Sequence, residues 1–155
     1  MTCIYSFGVR GVPTVAYKRL KRNNSKESSL KNLEQKYKKL KCWGLLASLD
    51  LRGCSPEYIK QPKKLKELIV GLCSAIKMKR FGKPMIKKFG SGDLLGYSAI
   101  QFIETSSLTF HFDETENRAF IEIFSCKFFE PQKAAGFCRK FLEAKKSRLR
   151  YYLRY

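Results

Sequence analysis

Three short apolar runs follow one another within 28 residues: Tyr97 to Ile103, Leu108 to Phe112 and Ala119 to Phe124. Each is rich in aromatic and β-branched residues, and the connections are short, with Asp113 to Asn117 polar throughout. Such runs read as neighbouring strands, and links of this length join antiparallel partners, because a parallel pair needs a crossover of a dozen residues or more. In the middle run, alternation puts Leu108, Phe110 and Phe112 on one face and Thr109 and His111 on the other.

The rest of the chain supplies cover for that sheet. Cys42 to Leu51 is apolar and suits a first strand ended by Arg52-Gly53. Ser55-Pro56-Glu57 has the form of a helix start, and Pro62 marks a second start. From there Leu65, Leu68, Ile69, Leu72 and Ile76 recur at three and four residues, one face of a helix. The basic stretch Phe81 to Phe89, with Gly82 and Pro84, predicts a short strand, and Gly90 to Asp93 a turn. Pro131 opens another helix with Ala134, Phe137, Cys138 and Phe141 on one side, and Arg148 to Tyr155 alternates as a last strand with a basic face. The order β-α-β-β-β-β-α-β predicts an α+β fold, a two-layer α/β sandwich with a mostly antiparallel sheet and helices on one face.

At 155 residues the chain has room for one ordinary domain. Its charge is +19, and residues 1–41 hold 11 basic and 2 acidic residues, while 142–155 hold 5 and 1. The division expected is a basic N-terminal extension or linker over 1–41, its second half helical through Leu30, Leu33, Tyr37 and Leu40, and a domain over 42–155. Basic flanks of this kind favour a weak contact with nucleic acid or another polyanion. No apolar segment reaches the about 18 residues of a membrane span, and the start lacks the layout of a signal peptide, so a cytoplasmic protein is expected. The six cysteines form no CxxC pair, and a single histidine excludes a His-rich metal site.

Chemistry concentrates in one region. Ser106, the lone His111 and Cys126 stand near the ends of the apolar runs, and each residue type can attack, carry or donate a proton. The stretch Gly96-Tyr97-Ser98-Ala99, Ile100 to Ile103, Ser106, Leu108-Thr109-Phe110-His111 and Glu122-Ile123-Phe124-Ser125-Cys126 resembles the processing site of the bacterial and archaeal S-adenosylmethionine decarboxylases. These are small pyruvoyl enzymes, and the intervals from Ser106 to His111 and from His111 to Cys126 match the family's without a gap. Upstream, Leu49-Asp50-Leu51-Arg52-Gly53-Cys54-Ser55-Pro56-Glu57 is similar to the family's Asp-Leu-Tyr-Gly-Cys-Asp-Pro-Glu, so the resemblance spans residues 42–155.

That resemblance implies a self-processing decarboxylase of S-adenosylmethionine that supplies the aminopropyl donor for spermidine. Ser106 would attack the carbonyl of Thr105, turning the peptide into an ester; β-elimination then cuts the chain, and hydrolysis leaves a pyruvoyl group, the cofactor, on the fragment that begins at position 106. His111 resembles the histidine that helps remove the serine's α-proton, Ser98 the serine that assists the acyl shift, and Cys126 the acid that protonates the substrate carbon. Phe89, or Phe81, would stack on adenine, Asp50 resembles an acidic residue near the family site, and Glu114 or Glu116 would replace a family glutamate. A homodimer of processed protomers acting on an amino-acid-like small molecule is the implied assembly. Departures are Thr105 for the family's glutamate, Ser107 for a histidine, and Phe112-Asp113-Glu114-Thr115 for Thr-[Tyr/Trp]-Pro-Glu. They leave open arginine or ornithine as substrate, or a silent homologue with polyanion-binding flanks.

Overall fold

The computed structural model describes residues 26–155; the expected arm or short strand in residues 1–20, residues 21–25 of the basic segment, and Cys3 lie outside them. The elements are α1 (Lys26–Lys39), β1 (Gly44–Arg52), α2 (Pro56–Ile59), α3 (Pro62–Ala75), β2 (Arg80–Phe89), a 3-10 turn (Gly92–Leu94), β3 (Gly96–Ile103), β4 (Ser106–Asp113), β5 (Arg118–Ser125), α4 (Pro131–Phe141) and β6 (Lys146–Arg154). The six strands form one sheet in the order β2-β3-β4-β5-β1-β6, antiparallel at every pairing. The expected two-layer α+β sandwich is the fold. No described helix is long and apolar enough to cross a membrane.

Alternation along the strands separates two faces. Leu45, Ala47, Leu49 and Leu51 of β1, Ala99 and Ile103 of β3, Leu108, Phe110 and Phe112 of β4, and Ala119, Ile121 and Ile123 of β5 are buried in one cluster. Against them lie Leu65, Leu68, Ile69 and Leu72 of α3 and Ala134 and Cys138 of α4. The helices thereby bury their apolar stripes, and burying each such side chain contributes about 1.5–3 kcal/mol. The two helices meet closely: a Cβ on Gly71 would stand 2.5 Å from the tip of the Phe137 ring, so a larger residue there would push that ring aside. The opposite face of the sheet carries no helix among the described residues, and Met85, Ile100, Phe102 and Phe120 stand exposed on it.

The strand ends differ from the sequence reading for identifiable reasons. β2 is ten residues long rather than short, with a register shift between Phe81 and Met85. It is an edge strand, where Pro84 costs no ladder bond and Gly82 can take its positive φ in the bulge. Buried Gln101 holds that bulge, donating through its amide to the carbonyls of Phe81 and Gly82. Ser55 precedes α2 as expected, yet its side chain makes no capping bond; its backbone N–H goes to the Leu142 carbonyl instead. β4 starts at Ser106, so the link between β3 and β4 is only Glu104-Thr105.

Phe110 is fully buried and stacks on Phe112 at 6.3 Å between centroids. Phe110→Ala is expected to cost about 3–5 kcal/mol in urea unfolding, whereas Leu94→Ala at the exposed 3-10 turn should change stability by less than about 0.5 kcal/mol.

Candidate active site

The turn between β3 and β4 is tight because Ile103 pairs with Ser106, leaving two residues to reverse the chain. Thr105 closes it at φ 70°, the left-handed region that a β-branched residue rarely occupies. Its hydroxyl bonds the Glu104 carbonyl at 2.7 Å, and the Glu104 N–H reaches the Lys79 carbonyl at 2.9 Å, so the turn is fixed from both sides. A non-glycine residue held there stores about 1–3 kcal/mol of backbone strain. The peptide bond from Thr105 to Ser106 sits directly after that strain.

Ser106 Oγ donates to the carbonyl of Thr105, the residue before it. The same oxygen accepts the backbone N–H of Cys126 at 2.8 Å. That contact follows from the pairing of Ser106 with Ser125, which sets the last residues of β5 beside the first of β4. Ser106 is half-buried and borders an open hollow lined by Phe81, Phe102, Ile103, Glu104 and Thr105.

A second polar pair lies further along the hairpin. Ser98 and His111 are register partners on β3 and β4, and Ser98 Oγ stands 3.0 Å from His111 Nδ1. With His111 neutral and its proton on Nε2, the hydroxyl donates to Nδ1; with the proton on Nδ1 the direction reverses. His111 is exposed on the helix-free face, as the alternation of β4 predicts. From Ser106 to His111 is five residues of strand, about 17 Å at strand rise. The structure therefore joins Ser106 to Cys126 and Ser98 to His111, but it does not bring the two pairs together within one chain.

The other candidate residues divide between these two ends. Phe81 lines the hollow beside Ser106. Phe89 pairs with Gly96 at the far end of the hairpin, exposed, nearer Ser98 and His111. Gly96 itself admits no side chain, since a Cβ would fall 2.1 Å from the Phe112 carbonyl oxygen. Glu114 follows β4 at that same end, its Oε2 on Lys88 Nζ at 3.0 Å and its Oε1 buried without a partner. Asp50 lies on the helix-free face in the cross-strand row of His111 and Phe120, paired with Arg150 at 3.0 Å. Glu116 is exposed, and its N–H caps Asp113. Asp113 is committed to its turn: burial alone would push its carboxyl up, but the Glu116 and Thr115 N–H groups and the Arg118 guanidinium hold it below the usual range.

Among the described cysteines Cys126 alone is half-exposed. Burial pushes the thiols of Cys54 and Cys73 up to about 11 and raises those of Cys42 and Cys138, which keeps them protonated and unreactive. Two contributors escape the sequence reading. Tyr37 donates its hydroxyl to the Cys126 carbonyl at 2.7 Å across 89 positions, and Lys88 pairs Glu114 across 26. No local pattern announces either; Tyr37 shows in the sequence only as a helix-face residue of α1.

No curated protein matches the sequence. Among solved structures, the adenosylmethionine decarboxylase of Aquifex aeolicus VF5 is similar, with a TM-score of 0.62 at 16% identity over 73% of this chain and 91% of that one. At that identity the likeness speaks for the fold. The family model of S-adenosylmethionine decarboxylase matches residues 46–155, which contain all of the sheet but the first two residues of β1, and both polar pairs. The chain thus belongs to the S-adenosylmethionine decarboxylase family, a carboxy-lyase whose substrate is S-adenosylmethionine and whose product feeds polyamine biosynthesis.

Proposed function

We propose that the enzyme matures by cutting its own chain between Thr105 and Ser106, that Ser106 becomes its pyruvoyl group, and that Cys126 serves turnover as an acid. The observation carrying this reading is Ser106 Oγ directed at its own preceding carbonyl, immediately after a threonine at φ 70°. Strain in the turn raises the energy of the intact peptide relative to the ester that the attack forms. The Cys126 N–H orients the attacking oxygen and fixes its distance from the Thr105 carbonyl. The ester leaves when the α-proton of residue 106 is removed, and hydrolysis of the resulting enamine releases ammonia.

The residues present suit the group. The backbone of Ser106 is paired with Ser125, so a new chain end at 106 would stay tied to β5 beside Cys126. A pyruvoyl ketone supplies an electron sink for the pair left when the carboxylate departs as carbon dioxide. Cys126, half-exposed at that point, is placed to return a proton to the substrate carbon. The hollow beside Phe81 and Phe102 offers aromatic faces for an adenine ring and for a sulfonium cation.

His111 and Ser98 stand about 17 Å along the strand from Ser106 on the same chain, too far to handle its proton. A homodimer resolves this. The helix-free sheet face exposes Phe102, Ile100, Met85 and Phe120, an apolar area of the kind that covers itself with a partner. Stacking a second copy face to face with strands reversed would lay its Ser98 and His111, with Phe89, over the Ser106 end of the first. Each of the two sites would then take its serine and thiol from one protomer and its histidine from the other. We place this dimer in the cytoplasm, with the basic N-terminal segment as an extension of the domain that starts near residue 42.

Intact mass of the purified protein under denaturing conditions is expected to show fragments of 105 and 50 residues, the smaller blocked by a pyruvoyl end. Ser106→Ala should stay whole; cleavage of that variant, or a cut moved to Ser107, would contradict the assignment. Cys126→Ala should still split while carbon dioxide release falls about 10²-fold, the usual loss for a missing general acid. For the dimer, the His111→Ala chain is expected to remain whole alone and to be cut when co-assembled with the Ser106→Ala chain. If co-assembly leaves it uncut while the parent protein matures, the shared site is wrong.

A further inference from the structure

Helix α1 lies outside residues 46–155, yet it reaches the candidate site. Leu33 is buried, and Tyr37 packs its ring edge-on against Phe128 at 5.6 Å between centroids. From that seat the Tyr37 hydroxyl donates to the Cys126 carbonyl at 2.7 Å. The helix is held to its connection by the Cys42 N–H, which bonds the Tyr37 carbonyl at 3.1 Å. Burial, followed by the nearby Cys126 and Cys42 thiols, raises the Tyr37 phenol above its ordinary value, so it remains a hydrogen-bond donor at neutral pH.

The bond matters because of what else grips Cys126. Its own N–H, in the peptide plane shared with Ser125, is on Ser106 Oγ. Its carbonyl shares the next plane with the Lys127 N–H, and that N–H bonds Ser125 Oγ at 3.0 Å, while Ser125 is buried against Met78. Tyr37 holds the opposite edge of this second plane. With both planes fixed, the φ and ψ of Cys126 are fixed, and so is the direction of its Cα–Cβ bond. Without the phenol, one edge of the second plane is free to turn, and both the N–H on Ser106 and the thiol can shift with it.

We propose that Tyr37, carried on the N-terminal helix, is a positioning residue for the reaction: its hydroxyl sets the backbone of Cys126, and through it the aim of Ser106 Oγ and the placement of the thiol. The helical extension is then a working part of the enzyme. This inference rests on the reading that Ser106 and Cys126 act in cleavage and turnover.

The test is Tyr37→Phe in the full chain, which keeps the ring on Phe128 and removes only the hydroxyl. Cleavage is timed from synthesis in a cell-free system on denaturing gels, with the parent and Ser106→Ala alongside; kcat and KM for S-adenosylmethionine are then measured on fully cleaved protein. Tyr37→Phe is expected to slow cleavage by about two- to tenfold, the range for one lost neutral hydrogen bond. It should lower kcat by a similar factor and leave KM unchanged, because the hydroxyl touches Cys126 rather than substrate. Phe128→Leu, which disturbs the ring contact but spares the hydroxyl, should alter the thermal midpoint more than kcat. Parent rates of cleavage and turnover in Tyr37→Phe would overturn the inference, as would an equal loss of kcat in Phe128→Leu, which would make the effect one of packing. A parent chain that is never cut would instead remove the underlying reading, and this inference with it.

Discussion

The register of β4 against its two neighbours decides where Ser98, Ser106, His111 and Cys126 stand. Ser106 pairs with Ile103 on one side and Ser125 on the other, and five residues on, His111 pairs with Ser98 and Phe120. A slip of one residue would carry Leu108, Phe110 and Phe112 to the exposed face and turn His111 into the core. The apolar burial of those three side chains under α3 and α4 is thus what holds His111 outward and Ser106 beside Cys126. Core packing and site geometry are one constraint viewed from two faces of the same strand.

That constraint also explains the separation of the two polar pairs. A strand is stiff and nearly straight over five residues, so a single chain cannot fold its own histidine back onto its serine. The helix-free face on which His111 stands is the face with exposed Phe102 and Phe120, the face through which the proposed dimer would form. In the proposed dimer, that surface would carry Ser98 and His111 to the partner's Ser106. Strain at Thr105 lies at the edge of this surface, where an exposed turn can reorganise without disturbing the core.

Among the described residues, helix α1 reaches Cys126 through the Tyr37 phenol on its carbonyl, which sets that cysteine apart. It contrasts with the other described cysteines, whose burial makes them filling for the core. Cys126 gains its distinct character from standing just past the end of β5, where the ladder no longer holds its carbonyl and a side chain from elsewhere does.

Much of this was legible in the residues themselves. Alternation in Leu108 to Phe112 determined the buried face and the outward histidine, and the three- and four-residue spacing from Leu65 to Ile76 determined the covering helix, because both periodicities are properties of local backbone geometry. The spacing of Ser98, Ser106, His111 and Cys126 carried the resemblance to the family, and the family match covers all four. The length of β2 was hidden, since Gly82 and Pro84 break local propensity and only an edge position with a Gln101-anchored bulge makes them harmless. The sequence offered Phe89 or Phe81 for stacking and Glu114 or Glu116 for a family glutamate without locating them; tertiary structure put Phe81 beside Ser106 and Phe89 and Glu114 at the other end of the hairpin, because chain order says nothing of distance along paired strands. The contact of Tyr37 with Cys126, and the separation of the two polar pairs, were decided only by the folded chain, where groups 89 residues apart meet and groups five residues apart on a strand cannot.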